Sequence, residues 1–270
     1  MNNPLITAKI KNDHHEDYTY VFEPQALNAI KAAVLINRPL LVKGKPGSGK
    51  SQLAKAAASY LDRAFISYVV SAKTEAQNLL WSFDAVARLA DAQIEGALCK
   101  AGDNAEEERQ SIREKLALKN YIKPEALWAA LNWHSAEEQF KALAIRQGQK
   151  TDSYRYQSPM SNYHNYKKAL SNGVVVLIDE IDKADSSLPN GLLEVLGSNQ
   201  FQPDGLDKPV VLNNSTASKG EIKEDNTEVN NTAPASAKPL IVITTNDEHP
   251  LPDAFVRRCL VVEVGMPDGD

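Results

Sequence analysis

With 270 residues, 43% of them apolar, the chain is long and hydrophobic enough for one large domain or two small ones around a substantial core. Its 30 basic and 35 acidic residues are interspersed and leave a formal charge of -5, which argues against a broad nucleic-acid or membrane-surface face. No wholly apolar run, Val174 to Ile178 included, approaches bilayer length, and the N-terminus lacks an apolar segment behind a positive start, so a cytoplasmic location is expected. Cys99 and Cys259 lie far apart without metal-ligand spacing and read as reduced, packed thiols.

In chain order, residues 1–18 are polar and expected to form a loose tail, in which His14, His15, Glu16 and Asp17 read as solvated rather than metal-binding. A helix is expected from Pro24, with Leu27, Ile30, Val34 and Ile36 near helical spacing and proline suited to its first turn. A short buried strand at 38–44, an Ala-rich helix at 51–61 and a second strand at 64–70 follow. Strand, Gly-rich loop, helix and strand make a βαβ unit, which implies a parallel sheet. Thr74 with Gln77 forms a capping box for a helix bearing Leu80, Phe83, Val86, Leu89 and Ile94 on one side. The charged stretch 104–119 reads as an exposed helix. Trp128, Trp133 and the Tyr-rich loop 152–166 read as packing aromatics, with a partner or base-stacking surface as the sharper alternative. The tract 213–238 has almost no large apolar residues and is expected to be a mobile loop inserted between core elements.

Gly44, Lys45, Pro46, Gly47, Ser48, Gly49, Lys50 and Ser51 fit G-x-x-x-x-G-K-S/T in full. Glycines let successive backbone N–H groups turn inward around phosphate oxygens, and the following helix N-terminus adds positive potential. Lys50 then reaches the β and γ phosphates, and Ser51 ligates Mg²⁺. Hydrolysis needs a further carboxylate site on a neighbouring strand. The run from Gly173 ends in Asp179 and Glu180, at the carboxyl end of a central strand where α/β sheets bind ligands. Asp179 would hold the metal through water and Glu180 would polarise the attacking water. Asp182, Lys183 and Asp185 read as a solvated helix entry. A third apolar run from Pro239 ends at Asn246, placed to orient the water or contact the γ-phosphate. After a short helix come Arg257 and Arg258, a pair suited to insertion into a neighbouring subunit's phosphate site.

The P-loop, "LIDE", "TTN" and "LPDAFVRRC", in this order and spacing, resemble the AAA+ ATPases, most closely the MoxR-like and dynein-related branch, over residues 20–266. The resemblance implies a P-loop NTPase fold: a three-layer α/β sandwich with a central parallel sheet. It implies a Walker A role for residues 44–51, a Walker B role for Asp179 and Glu180, sensor 1 at Asn246, and an arginine finger at Arg258 or Arg257. It places an enlarged helix-2 region at about 74–170 within a core of 19–266. It further implies ATP and Mg²⁺ as ligands, a usually hexameric homo-oligomeric ring, and remodelling of a protein partner. The chain stops six residues beyond Val264, so the family's C-terminal helical lid is expected to be absent, with 267–270 as its start. Two alternatives stand beside this motor: a nucleotide-gated assembly scaffold with weak hydrolysis, and a GTP-dependent DNA-restriction-type motor. The acidic balance and the lack of an N-K-x-D guanine-recognition motif count against the latter, and a P-loop kinase would leave Glu180 and the arginine pair without a role.

Overall fold

The computed structural model describes residues 6–11, 17–98, 105–146, 158–198, 200–211 and 238–266. The chain opens with an antiparallel hairpin of β1 (Thr7–Lys11) and β2 (Asp17–Val21), which corrects the expectation of a loose tail over 1–18. Ala8 and Ile10 alternate onto one face and are buried, so this short strand has an apolar side to dock. His14, His15 and Glu16 lie outside the described residues. Helix α1 (Pro24–Ile36) has proline in its first turn and buries Ala26, Leu27, Ile30 and Ala33; it ends at Asn37 in the left-handed region, and Ile36 points to solvent. Strand β3 (Leu40–Lys43), helix α2 (Lys50–Tyr60) and strand β4 (Ala64–Val69) follow as expected. The hairpin is fastened to α2 by Ser59 Oγ, which donates to Lys9 O at 2.7 Å, and by the Tyr18 hydroxyl on Gln52.

The region beyond β4 departs most from expectation. In place of one helix there are α3 (Ala76–Leu80), β5 (Trp81–Phe83) and α4 (Ala85–Leu98). The capping box is Glu75 with Asn78, while Thr74 Oγ1 accepts from Ser71 N at 2.9 Å. The break has a packing cause: Trp81 is buried with its ring stacked on Phe201 at 5.6 Å, and the strand it starts pairs with β6 (Ile122–Pro124). Val86, Leu89 and Ile94 are therefore exposed on α4 rather than core. Between these strands lies the expected charged helix α5 (Ala105–Lys115), and after them come α6 (Ala126–Leu131), α7 (Trp133–Arg146) and α8 (Ala169–Asn172). Trp128 is 1% exposed and Trp133 packs edge-on against Tyr163, so these aromatics belong to the core. Residues 158–166 run in short 3-10 turns, and Phe65 N donates to His164 O along the outer edge of β4. Residues 152–157, Cys99 and residues 213–237 lie outside the described residues.

The chain returns through β7 (Val174–Asp179), α9 (Ser187–Ser198), β8 (Gln200–Phe201), β9 (Val210–Val211), β10 (Leu240–Thr245), α10 (Asp253–Val256) and β11 (Leu260–Glu263). The main sheet has five parallel strands in the order β11-β3-β10-β7-β4. Alternate residues divide between two cores. Val175, Leu177, Leu240 and Val242 face α1, α2 and the hairpin, whereas Val176, Ile178, Ile241 and Ile243 face the layer that includes α3, α6 and α9. The result is the expected three-layer α/β sandwich, with the carboxyl ends of β3, β7 and β10 side by side.

Candidate nucleotide site

β3 runs into the Gly-rich loop, where Gly47 and Gly49 take φ of 83° and 84°. A Cβ at either would meet no atom within 4 Å, so backbone conformation rather than crowding calls for glycine there. At Gly44 the reason is different: a Cβ would lie 2.6 Å from Val264 O, just past β11. Lys50, at the start of α2, is 6% exposed, and its Nζ donates to Gly44 O at 2.8 Å, Lys45 O at 3.0 Å and Asn246 Oδ1 at 2.8 Å. Burial lowers the pKa of this ammonium, while Asp179, Asp182 and Glu180 act in the opposite direction. The Ser48 hydroxyl is buried in the same loop without a hydrogen-bond partner.

The neighbouring strand ends bring the acids to the loop. Ser51 Oγ donates to Asp179 Oδ2 at 2.9 Å. Thr244, fully buried on β10, donates to Asp179 Oδ1 at 2.5 Å and accepts from Glu180 N at 2.8 Å. That second bond holds Glu180 in the left-handed region at φ 61°, a conformation that costs a non-glycine residue about 1–3 kcal/mol. The Glu180 carboxylate is engaged by Lys183 Nζ through Oε2 and by Asn246 Nδ2 at 3.4 Å through Oε1. The bond to Glu180 is the main cause of the raised pKa of Lys183. Asn246 therefore stands between Lys50 and Glu180.

The helix entry read as solvated is so only in part. Asp185 is exposed and caps α9 by accepting from Ser187 N at 2.9 Å, and that bond depresses its pKa. Lys183 instead holds Glu180, and Asp182 is buried beneath the loop that carries Asn246. Sequence reading overlooked Thr244 and took Asp182 as solvated. Thr244 lies near the end of β10 and Asp182 in the short turn after β7, and at either place an ordinary solvated cap has the same composition. A cleft of ≈ 560 Å³ opens beside the loop, lined by Lys43, Gly44, Lys45, Asn246, Asp247 and Val264 among others, and Lys43 pairs with Asp247 across it at 3.1 Å.

Arg257 and Arg258 are not brought to this cluster. Both are exposed where α10 turns into β11, at the amino end of a strand whose carboxyl end reaches the Gly-rich loop. The length of β11 separates them from the loop, roughly 10–13 Å at about 3.3 Å per residue.

The donors present fit a phosphate chain and a hard divalent cation. Lys50 is held only by oxygen acceptors that phosphate oxygens can replace, Ser48 offers an unpartnered hydroxyl, and Ser51 with Asp179 supplies oxygen ligands. Among the described residues no group of three or more His, Cys, Asp or Glu forms a self-sufficient metal site, and no helix is long and apolar enough to cross a membrane.

Residues 39–112 match the AAA domain of the dynein-related subfamily. No curated protein is significantly similar in sequence. Among solved structures, a candidate ATPase from Cytophaga hutchinsonii aligns at 13% identity with a TM-score of 0.44, covering 91% of this chain and 46% of its own. The chain thus spans about half the length of that protein. The matched stretch begins at the strand that enters the P-loop and takes in the helix behind it, so this part of the chain is similar to the AAA domain of the dynein-related subfamily.

Proposed function

We propose that the chain is the Mg²⁺-dependent, ATP-binding and ATP-hydrolysing core of a cytoplasmic MoxR-like motor, working in a homo-oligomeric ring to remodel or activate a protein partner. The observation that carries the hydrolytic reading is the continuous set of hydrogen bonds from Lys50 through Asn246 to Glu180 at the sheet's carboxyl edge. The backbone N–H groups of residues 44–51 and the Lys50 ammonium bind the phosphates, with Lys50 exchanging the carbonyls of Gly44 and Lys45 for phosphate oxygens. Ser51 and Asp179 would hold Mg²⁺, which neutralises phosphate charge when bound. Glu180 accepts a proton from the attacking water, and Asn246 orients that water or the γ-phosphate. Arg258 or Arg257 completes the site of the next subunit.

Titration with ATP and with GTP tests the nucleotide. Preferred ATP binding is expected, and GTP preference would instead favour the restriction-type motor. Lys50→Ala is expected to abolish binding or weaken it greatly. Glu180→Gln should keep binding and lower turnover by about 10²–10⁴-fold. Undiminished hydrolysis by Glu180→Gln would overturn the assignment of the base. One observation favours the scaffold reading: Glu180 is tied to Lys183 and Asn246, so the nucleotide-free chain holds its base in check. Tight binding and ring assembly with negligible turnover would select that reading.

A further inference from the structure

Asp182 stands two residues beyond Glu180, and its carboxylate is 2% exposed. Its partners are main-chain donors of the loop after β10. Oδ2 accepts from Asn246 N at 3.2 Å and from Glu248 N at 3.0 Å, and Oδ1 from Asn246 N at 3.4 Å. Between these donors Asp247 takes φ 63°, so the loop is gripped on both sides of a left-handed residue. A buried carboxylate is costly unless its lone pairs are filled, and bonds to a charged acceptor are about twice as strong as neutral ones. A simple turn at solvent would not require either. The Asn246 side chain reaches back to the site: its Oδ1 accepts from Lys50 Nζ at 2.8 Å, and its Nδ2 donates to Glu180 Oε1 and Glu248 Oε1, each at 3.4 Å.

We infer that Asp182 is a positioning residue: it fastens the 246–248 loop to the end of β7, so that the Asn246 amide sits between the phosphate-binding lysine and the carboxylate that activates water. Its kinetic consequence rests on the hydrolytic reading above, whereas its geometric consequence does not. Thr244 ties the same two strand ends one level deeper, through Asp179 and Glu180 N. Losing the Asp182 clasp therefore frees the Asn246 loop without dismantling the phosphate cradle.

The test is Asp182→Asn in the full chain, with Asp185→Asn as a control on the same segment. In Asp182→Asn an amide nitrogen or a single carbonyl oxygen replaces the gripping carboxylate. In the nucleotide-free protein, amide hydrogen exchange at Asn246 and Glu248 should rise about tenfold or more while Val242 and Ile243 stay unchanged. With Mg²⁺ and ATP, kcat should fall about 10–100-fold with KM shifted by less than about threefold, since a displacement near 1 Å costs on that order. Asp185→Asn should change neither measurement. Unchanged exchange at Asn246 and Glu248, a rise spread evenly over β10, or raised exchange with undiminished kcat would each overturn the inference. If Asp182→Asn does not fold, the unaltered chain decides: amides of Asn246 and Glu248 as protected as Ile243 support the clasp, and unprotected ones refute it. An unaltered chain without turnover would count against the hydrolytic reading alone, because the exchange measurement stands without it.

Discussion

Single polar atoms on β10 and just before β11 have consequences that can be measured without nucleotide. Thr244 fills both roles of its hydroxyl, as donor to Asp179 and acceptor from Glu180 N, in a strand whose six residues are all buried. Thr244→Val keeps the shape and leaves the Glu180 N–H without its partner, so urea unfolding followed by circular dichroism should show a loss of about 1–3 kcal/mol. Thr244→Ser, which keeps the hydroxyl, should recover most of it. Cys259 makes a separate case. Burial pushes its thiol up to about 12, with Arg38 opposing weakly. At pH 9 an ordinary thiol is about half ionised and this one about one part in a thousand, so alkylation of Cys259 in the folded chain should be slower by more than about 10² than after denaturation. Rapid labelling of native Cys259 would show that its end of β11 opens readily. The catalytic candidates were legible in the sequence at this scale because Lys50, Ser51, Asp179 and Glu180 stand in a fixed spacing or at a run's end. Asp182 and Thr244 were not, because a buried polar group and a solvated cap are spelled with the same letters. Only the partner across the sheet distinguishes them.

Among the elements, the strands β3, β4, β7, β10 and β11 could be read from apolar runs bounded by Gly, Pro or polar residues, since a strand buried on both faces needs little else. Two elements could not. The hairpin strand β1 is short and its apolar side is only Ala8 and Ile10, a signal too small to separate from a polar tail. The segment after β4 was misread because Leu80, Phe83, Val86 and Leu89 do recur at helical spacing, yet Trp81 is pulled into a non-local stack with Phe201 that ends the helix. The same close packing sets a prediction. In α9, a Cβ at Gly191 would lie 2.7 Å from Ala76 Cβ on α3, so the two helices approach each other through that glycine. Replacing an interior helical glycine by alanine ordinarily gains about 1 kcal/mol. Overpacking here costs about 1–3 kcal/mol, because neither methyl can rotate out of the way. Gly191→Ala should therefore lower the melting temperature, and a rise would mean that α3 and α9 separate without penalty.

For the molecule as a whole, the parallel order β11-β3-β10-β7-β4 puts Lys50, Asn246 and Glu180 at one end of the sheet and the arginine pair at the amino end of β11. A guanidinium so far from its own P-loop has no phosphate partner within the chain, so in the proposed ring it serves a neighbour's site. Arg258 is the better candidate by its place in "LPDAFVRRC", with Arg257 as the alternative. Arg258→Ala should leave the fold and the ATP affinity of an isolated chain unchanged and lower turnover in the assembled form by about 10³–10⁵, the range known for arginine fingers. Mixing Arg258→Ala with Glu180→Gln protein separates a shared site from a self-contained one. A site that combines Glu180 of one subunit with Arg258 of the next is intact in some mixed rings, and partial activity should return. A mixture that stays inactive although mixed rings form, or an Arg258→Ala protein as active as its parent, would rule out this arginine and pass the test to Arg257→Ala.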